Sequence, residues 1–310
     1  MAGRKAGNPR KEIRPLTMFE KLKTFSNLVV LPHSVFALPF ALASLLTATH
    51  GKPSLYVLGW VIACMVLART TAMAYNRLVD ADIDAKNPRT QNRDLPAGRI
   101  KPWQVKLIVF VCGLGFVFCT TRLNILAARL SPIALVIILF YSHTKRFTWL
   151  SHLFLGLALG VAPVGAWIAA TGAFAAEPFW LMAAVICFLA GFDILYATQD
   201  EDFDKREGLQ SWVVKWGIPN SLLASRFFHT CMLGFLAGFG AQAGFSPVYY
   251  IGISLIGAVL LYQHRRAYRL ETLGGKTQFT LSPSMMKMNG WVSVLYFVVV
   301  GVTVWSSKSF

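Results

Sequence analysis

The chain has 310 residues, of which 55% are hydrophobic and only 14% charged, with a mean hydropathy of +0.52. A soluble domain carries about 25% charged residues, so this composition excludes an ordinary soluble globule and points to a polytopic membrane protein. The net charge of +16 suggests a nucleic-acid partner only until its placement is considered. The basic residues gather on one side of the expected membrane, where topology and contact with anionic lipid explain them, and no nucleic acid is expected.

The first 27 residues are polar and basic, and the apolar run after them is long enough to span. The reading is therefore a cytoplasmic basic segment over 1–27 with no cleavable signal peptide, followed by a single transmembrane domain over 28–310. Windows of about 20 apolar residues predict spans near 28–48, 55–75, 104–121, 124–142, 151–171, 178–198, 222–243, 248–264 and 290–306. The expected fold is all-α: a bundle of nine transmembrane helices whose cytoplasmic loops cap a central cavity. All Lys and Arg except Lys52, Arg69, Arg122, Arg129 and Lys308 lie in or beside the N-terminal segment and the loops after spans two, four, six and eight. The positive-inside rule then puts the N-terminus and those loops in the cytoplasm, and an odd span count puts the C-terminus outside the plasma (inner) membrane. Cys64, Cys112, Cys119, Cys187 and Cys231 sit in or at the edge of apolar spans without paired spacing, which suggests packing residues and neither disulfides nor zinc.

Carboxylates are scarce, yet two clusters leave spans on the cytoplasmic side. The second span runs into "NRLVDADID". If its helix continues, Asn76, Asp80 and Asp84 stack on one face at i, i+4, i+8, with Asp82 off that face and Arg69 two turns deeper on it. The sixth span runs into "DILYATQDEDFD", which places Asp193, Asp200 and Asp204 on one face and Tyr196 a turn above Asp200. Like charges at this spacing repel, so both stripes call for a cation. Two facing acidic helix ends supply the hard oxygen ligands that suit Mg²⁺, which bridges protein carboxylates to substrate phosphates. Asn76, Asp80, Asp84, Asp200 and Asp204 are the candidate metal ligands. Arg77, Lys86, Arg89, Arg93, Lys145, Arg146, Lys205 and Arg206 lie on the same side and suit a diphosphate.

Arg69 lies inside an apolar span, where an ionisable residue is a functional candidate by default. It either binds a substrate carboxylate or phosphate, or pairs with a motif Asp. Tyr196 either shields a cation with its ring face or is an interfacial aromatic. Asp193 either orients the site from behind or pairs with Arg69. His33 and Asn289 are ambiguous polar residues near an interface, and a lone His there is more often simply hydrogen-bonded.

Together these stretches resemble the UbiA superfamily of intramembrane prenyltransferases. "NRLVDADID" matches its NxxxDxxxD motif and "DILYATQDEDFD" its second Asp-rich motif, with further likeness in "ALPFALAS", "NPRTQNRDLPAG" and "YSHTKRFTWLSHLFLGLALGVAPVGAWIA". The resemblance runs from about residue 17 onward and leans toward the 4-hydroxybenzoate polyprenyltransferase branch and the similar enzymes of the futalosine route to menaquinone. It implies an aromatic prenyltransferase of quinone biosynthesis that joins an all-trans polyprenyl diphosphate to an aromatic acid with Mg²⁺. In that reading Asp80, Asp84, Asp193, Tyr196, Asp200 and Asp204 serve catalysis, and Arg69, Asn76, Arg77, Lys145 and Arg146 bind substrate. One departure is Arg77, which stands where many members have an Asp directly after the motif Asn and removes one possible metal ligand. Homogentisate or a haem vinyl group are alternative acceptors. A multi-pass transporter of an anionic substrate is less favoured, because transporters place such sites near the midplane, and an isoprenoid-binding subunit would need no acidic stripes.

Overall fold

The computed structural model describes residues 36–267, 271–273, 276–278 and 283–306, of which 266–267, 271–273, 276–278 and 283–287 are described in backbone only. The basic segment 1–27, His33 and the first part of the first expected span lie outside the described residues. Apart from a two-stranded antiparallel ribbon, β1 (Glu271–Leu273) and β2 (Lys276–Gln278), the described elements are helices. They are α1 (Leu38–Ala48), α2 (Leu55–Val79), α3 (Ala81–Lys86), α4 (Pro102–Thr121), α5 (Ile125–Thr144), α6 (Ser151–Thr171), α7 (Glu177–Ala197), α8 (Glu201–Arg206), α9 (Trp212–Gln242), α10 (Pro247–Ala267) and α11 (Pro283–Ser306).

Among the described residues, seven helices are long and apolar enough to cross a membrane. They are α2, α4, α5, α6, the run from α7 through α8, α9, and α11 from Met288. α1 is 11 residues long, short of a membrane span. The 21 residues of α10 end in Gln263, His264, Arg265 and Arg266. The chain is thus a multi-pass membrane protein.

Local chemistry sets the helix ends. Asn124 caps α5 by accepting the Ala127 N–H at 2.9 Å, and its amide reaches across to the Ile168 carbonyl at 2.7 Å, which ties the start of α5 to the end of α6. Gly172, at φ 70°, ends α6 in the left-handed conformation that a glycine adopts without strain. The expected seventh span began at 222, whereas α9 begins ten residues earlier. Gly217 (φ 73°, ψ 168°) and Pro219 put a kink between a first turn bearing Trp212 and Trp216 and the membrane-crossing part.

The core is built around α7, which packs between α6 and α9. Phe188, Leu181, Val185 and Ile194 of α7 are fully buried, as are Met232, Leu236 and Phe239 of α9, Phe40 of α1, and Tyr249 and Tyr296 of α10 and α11. The outward faces of α4 and α5 stay apolar, with Phe110, Leu114, Phe118, Ile133 and Val136 exposed, the surface expected against lipid. Hydrocarbon gives helices little hydrophobic reason to associate, so close backbone contact takes over. At Gly156 of α6, an added Cβ would lie 2.6 Å from the Ile186 carbonyl oxygen and 2.9 Å from its Cα.

That contact generates a prediction. The obstructing atoms are backbone and cannot swing aside, so Gly156→Ala should destabilise the purified protein by about 1–3 kcal/mol, in the range of overpacking. Gly234→Ala on α9 meets nothing within 4 Å and should leave stability unchanged or slightly raised. Thermal unfolding in detergent distinguishes the two; equal melting temperatures would disprove the tight α6–α7 seam.

Candidate active site

The two acidic segments converge on one cavity of about 400 Å³. Its wall takes residues from α2, α3, α5, α6, α7 and α8, and from the loop after α3. The helix of α2 does not run straight through its motif. It closes at Val79, Asp80 is the link residue (φ −91°, ψ 2°), and α3 restarts at Ala81. Helical hydrogen bonds nevertheless bridge the joint, from Asp80 N–H to the Asn76 carbonyl (2.9 Å) and from Asp84 N–H to the Asp80 carbonyl (2.7 Å). The expected stacking of Asn76, Asp80 and Asp84 on one side therefore survives the break. Asp82 points away and is two-thirds exposed. On the other wall, α7 passes through a 3₁₀ turn (Thr198–Asp200) into α8, and Asp193, Tyr196, Asp200 and Asp204 all line the cavity.

Asp80 and Asp84 are each only 4% exposed, and buried carboxylates need partners. Lys145 Nζ donates to Asp80 Oδ2 at 2.6 Å, and Arg93 Nη1 to both Asp84 oxygens at 2.7 Å. Arg77 stands 4.0 Å from Asp84. Across the cavity Arg89 forks onto Asp200, with Nη2 donating to Oδ2 at 2.5 Å and Nε to Oδ1 at 3.0 Å. Its guanidinium also donates to the Tyr196 hydroxyl at 2.5 Å and lies 5.0 Å from that ring's centroid. Asn87 Nδ2 donates a hydrogen bond to Asp200 Oδ1 at 3.3 Å. The Asp204 carboxylate has no hydrogen-bond or ion-pair partner among the described residues.

Electrostatics follow from this arrangement. Burial raises the Asp80 carboxyl above the ordinary carboxylate range, even though Lys145 opposes the shift. Partial burial alone would lower the Arg89 guanidinium, but Asp200 and Tyr196 outweigh it and hold Arg89 above its ordinary value.

Ile83 of α3, Phe203 of α8 and Leu209, all on the cavity wall, pack together as an apolar cluster. Lys86 reaches Glu207 at 2.6 Å beside them; being exposed, that pair adds little. The loop after α3 is held by Thr90 Oγ1 donating to the Asp84 carbonyl (3.1 Å) and by Arg99 Nε donating to buried Asp94 (2.5 Å).

Beneath the polar cavity lies a second one of about 450 Å³, walled by apolar residues of α1, α2, α4, α5, α6 and α7. Arg69, Tyr141 and Leu159 border both. Arg69 Nε is buried without a hydrogen-bond partner. The alternative of a pair between Arg69 and a motif Asp is not formed among the described residues.

Of the residues expected from sequence, Arg69, Asn76, Arg77, Asp80, Asp84, Lys145, Asp193, Tyr196, Asp200 and Asp204 share one cavity wall. Arg146 does not. It donates to the Val79 carbonyl (2.6 Å) and to outward-facing Asp82 (3.2 Å), because Asp82 draws it to the outer side of the α2–α3 joint. Asp193 meets His152 at 2.7 Å in place of Arg69. His152 and Tyr141 went unassigned in the sequence, where each is a single polar residue at the edge of an apolar run. Asn289 is fully buried within α11.

Among the described residues no three His, Cys, Asp or Glu side chains form a ready-made metal shell. The residues nonetheless fit a hard divalent cation. Asp80 Oδ1 is buried with no donor, Asn76 donates its side-chain Nδ2 hydrogen to Asp80 Oδ2 at 3.2 Å, which leaves its side-chain Oδ1 available, and Asp204 is unpaired among the described residues. All are oxygen ligands of the kind Mg²⁺ takes.

Comparison with known proteins agrees with this geometry. The chain is 29% identical over 262 residues to a 4-hydroxybenzoate octaprenyltransferase of Shewanella sediminis (strain HAW-EB3), covering 84% of this chain and 88% of that one. The same figures hold for the 4-hydroxybenzoate octaprenyltransferase of Shewanella woodyi (strain ATCC 51908 / MS32). The apo structure of a UbiA homologue from Aeropyrum pernix K1 superposes with a TM-score of 0.75 at 28% identity, over 89% of this chain and 98% of that chain. A UbiA homologue from Archaeoglobus fulgidus, solved with DMAPP and Mg²⁺, shares the fold with a TM-score of 0.71 at 21% identity, over 91% and 99% of the two chains. With the UbiA prenyltransferase family profile matching residues 37–304, the chain belongs to the UbiA prenyltransferase family.

Proposed function

We propose that this protein joins an all-trans polyprenyl diphosphate to an aromatic acid, 4-hydroxybenzoate or a dihydroxynaphthoate, by alkylating a ring carbon in quinone biosynthesis. The observation that carries this reading is the stacking of two cavities, one charged and one apolar, with the unpartnered Arg69 at their boundary. A diphosphate head suits the charged cavity, an isoprenoid tail the apolar one, and a small carboxylate the buried guanidinium. The relatives named for 4-hydroxybenzoate and the homologue solved with DMAPP and Mg²⁺ support the same assignment.

In this reading Asn76, Asp80, Asp84, Asp200 and Asp204 hold Mg²⁺, which supplies charge neutralisation to the departing diphosphate. The chain's own cations do the rest of the binding. Lys145, Arg93 and Arg89 each neutralise a carboxylate in the ligand-free protein, and with ligands bound they turn to phosphate oxygens. The Ile83, Phe203 and Leu209 cluster keeps water from an allylic cation that would otherwise be captured as an alcohol. Tyr196 and its neighbours bound the space where that cation forms. The nine-span topology read from the apolar windows belongs to the same proposal, with the N-terminus on the cytoplasmic side as the distribution of Lys and Arg suggests.

Two outcomes test it. Asp80→Asn and Asp200→Asn should each lower turnover by at least about 100-fold, the order of magnitude for losing one electrostatic stabiliser of a transition state, while the protein stays folded and extractable. EDTA should silence the wild type, and full activity in its presence would refute the metal assignment.

Purified protein given geranyl or longer prenyl diphosphates, Mg²⁺ and a panel of aromatic acids should yield a C-prenylated acid that keeps its carboxylate, read by mass spectrometry. Arg69→Ala should raise KM for the acid roughly tenfold or more, as expected for a lost hydrogen bond to a charged group, with a smaller change for the diphosphate. A larger loss of diphosphate affinity would move Arg69 to the phosphate. A lipid or haem product would replace the acceptor.

A further inference from the structure

His152 lies in the first turn of α6 and is 4% exposed. Both ring nitrogens are engaged. Nδ1 is 2.7 Å from Asp193 Oδ2, and the backbone N–H of Trp212 donates to Nε2 at 3.3 Å. A backbone N–H is only a donor, so Nε2 must offer its lone pair, and the neutral imidazole carries its proton on Nδ1 and donates it to the carboxylate. Trp212 is the first residue of α9, and its N–H is one of the amides a helix start leaves without an internal partner. The position of that N–H is fixed from both sides. Ser211 caps α9 by accepting the Val214 N–H at 3.1 Å, and the Gln210 N–H donates to the Lys145 carbonyl at 2.7 Å. The Trp212 ring meets Trp149 edge-on, with centroids 5.0 Å apart. The imidazole is thus clamped between α9 and Asp193 in one tautomer.

Asp193 lies seven residues before Asp200, as Arg69 lies seven before Asn76. At 1.5 Å per residue both sit about 10 Å deeper than their motifs, and both line the polar cavity. An aromatic acid whose carboxylate meets Arg69 therefore has its ring at the depth of Asp193. Asp193 is also the one cavity-lining Asp outside the proposed metal ligands, and its Oδ1 has no donor among the described residues. We infer that Asp193 takes the ring proton in the last step and that His152 is the positioning residue that holds its carboxylate in place and aimed.

The step balances. The C1–O bond of the prenyl diphosphate breaks and its electron pair leaves on the diphosphate, and a π pair of the ring then forms the bond from the ring carbon to C1 of the allylic cation. The C–H bond at the same ring carbon then breaks, its electrons restore the aromatic ring, and the proton goes to an Asp193 oxygen. With Nε2 occupied by Trp212, His152 cannot pass that proton on, so it stays on Asp193 until product leaves and the cavity opens to water.

This inference rests on the aromatic-acid reading above, and its test separates the two. Wild type, His152→Asn and His152→Leu are assayed with prenyl diphosphate, Mg²⁺ and an accepted aromatic acid carrying hydrogen or deuterium at the alkylated ring position. Asn keeps a side-chain N–H near the place of Nδ1 and cannot titrate; Leu removes the donor. In His152→Leu, kcat should fall about 100-fold, the lower end of what a positioned base contributes, with KM for the diphosphate within about twofold of wild type. Proton loss should then limit the rate, so a primary deuterium isotope effect absent from the wild type should appear. His152→Asn should recover most of the rate and lose the isotope effect.

A His152→Leu enzyme with wild-type kcat and no isotope effect overturns the assignment. So does a His152→Asn enzyme as slow as His152→Leu with no isotope effect, which would make His152 a tie between α6 and α9 only. Should the Leu variant fail to fold, the Asn arm decides alone: near-wild-type turnover upholds the donor role and deep loss ends it. If the wild type prenylates no aromatic acid at all, the acceptor reading fails and takes this inference with it.

Discussion

Charge compensation of buried carboxylates governs this molecule. A carboxylate withdrawn from water is costly unless a cation or several hydrogen bonds replace its hydration, and Asp80 and Asp84 are almost fully buried. Their partners come from elsewhere in the chain, Lys145 from the end of α5 and Arg93 from the loop after α3, while Arg89 of that loop crosses to Asp200. The loop folds down over the cavity because its arginines are drawn to the acids. Beside it Ile83, Phe203 and Leu209 form an apolar cluster on the cavity wall. Counter-charge for the acids is therefore what holds the loop in place. Ligands that bring their own charges would compete for every one of these contacts.

The cavity wall carries five aspartates, Asp80, Asp84, Asp193, Asp200 and Asp204, beside five cations, Arg69, Arg77, Arg89, Arg93 and Lys145. The cations pair with Asp80, Asp84 and Asp200 but do not satisfy every acidic oxygen, since among the described residues Asp80 Oδ1 stays without a donor and Asp204 without a partner. A fully satisfied network would bind a divalent ion weakly, because every new bond would replace an equal old one. A partly satisfied one keeps the polypeptide folded and leaves oxygens for the ion to gain.

Much of this was legible in the sequence, and the rest was not for identifiable reasons. Like-charge stripes at i, i+4 are improbable without a cation, so Asn76, Asp80, Asp84, Asp200 and Asp204 announced themselves, and they do line one cavity. Helical spacing predicted the common face even though α2 breaks at Asp80, because backbone hydrogen bonds carry the helical path across the joint. Which basic residue meets which acid is a matter of tertiary geometry, and so Arg146 was placed in the cavity while Arg89 and Arg93 were only part of a charged background. Hydropathy also hid the start of α9, since the kink at Gly217 separates an amphipathic first turn from the apolar helix. His152 illustrates the hardest case. Its role depends on a backbone N–H of α9 and a carboxylate of α7, 60 and 41 residues away in the chain, and no periodicity encodes that meeting.

The boundary between the two cavities is where these constraints converge. Arg69, Tyr141 and Leu159 form a wall with one face toward a charged space and the other toward an apolar one. A guanidinium inside a membrane span is expensive and persists where it faces the bundle interior or a water-accessible cavity; Arg69 faces both cavities and has no carboxylate against it. Any of the motif acids would have stabilised the ligand-free protein by pairing with it. Asp80, Asp84 and Asp200 are instead committed to Lys145, Arg93 and Arg89, and Asp204 is unpaired, so no carboxylate among the described residues lies against Arg69. In the proposed function a small acid entering the cavity would meet Arg69, whose Nε is already buried without a hydrogen-bond partner, and its ring would lie at the depth of Asp193. The same allocation of cations that holds the loop after α3 against the acids would thus also favour the boundary as the place for a second substrate.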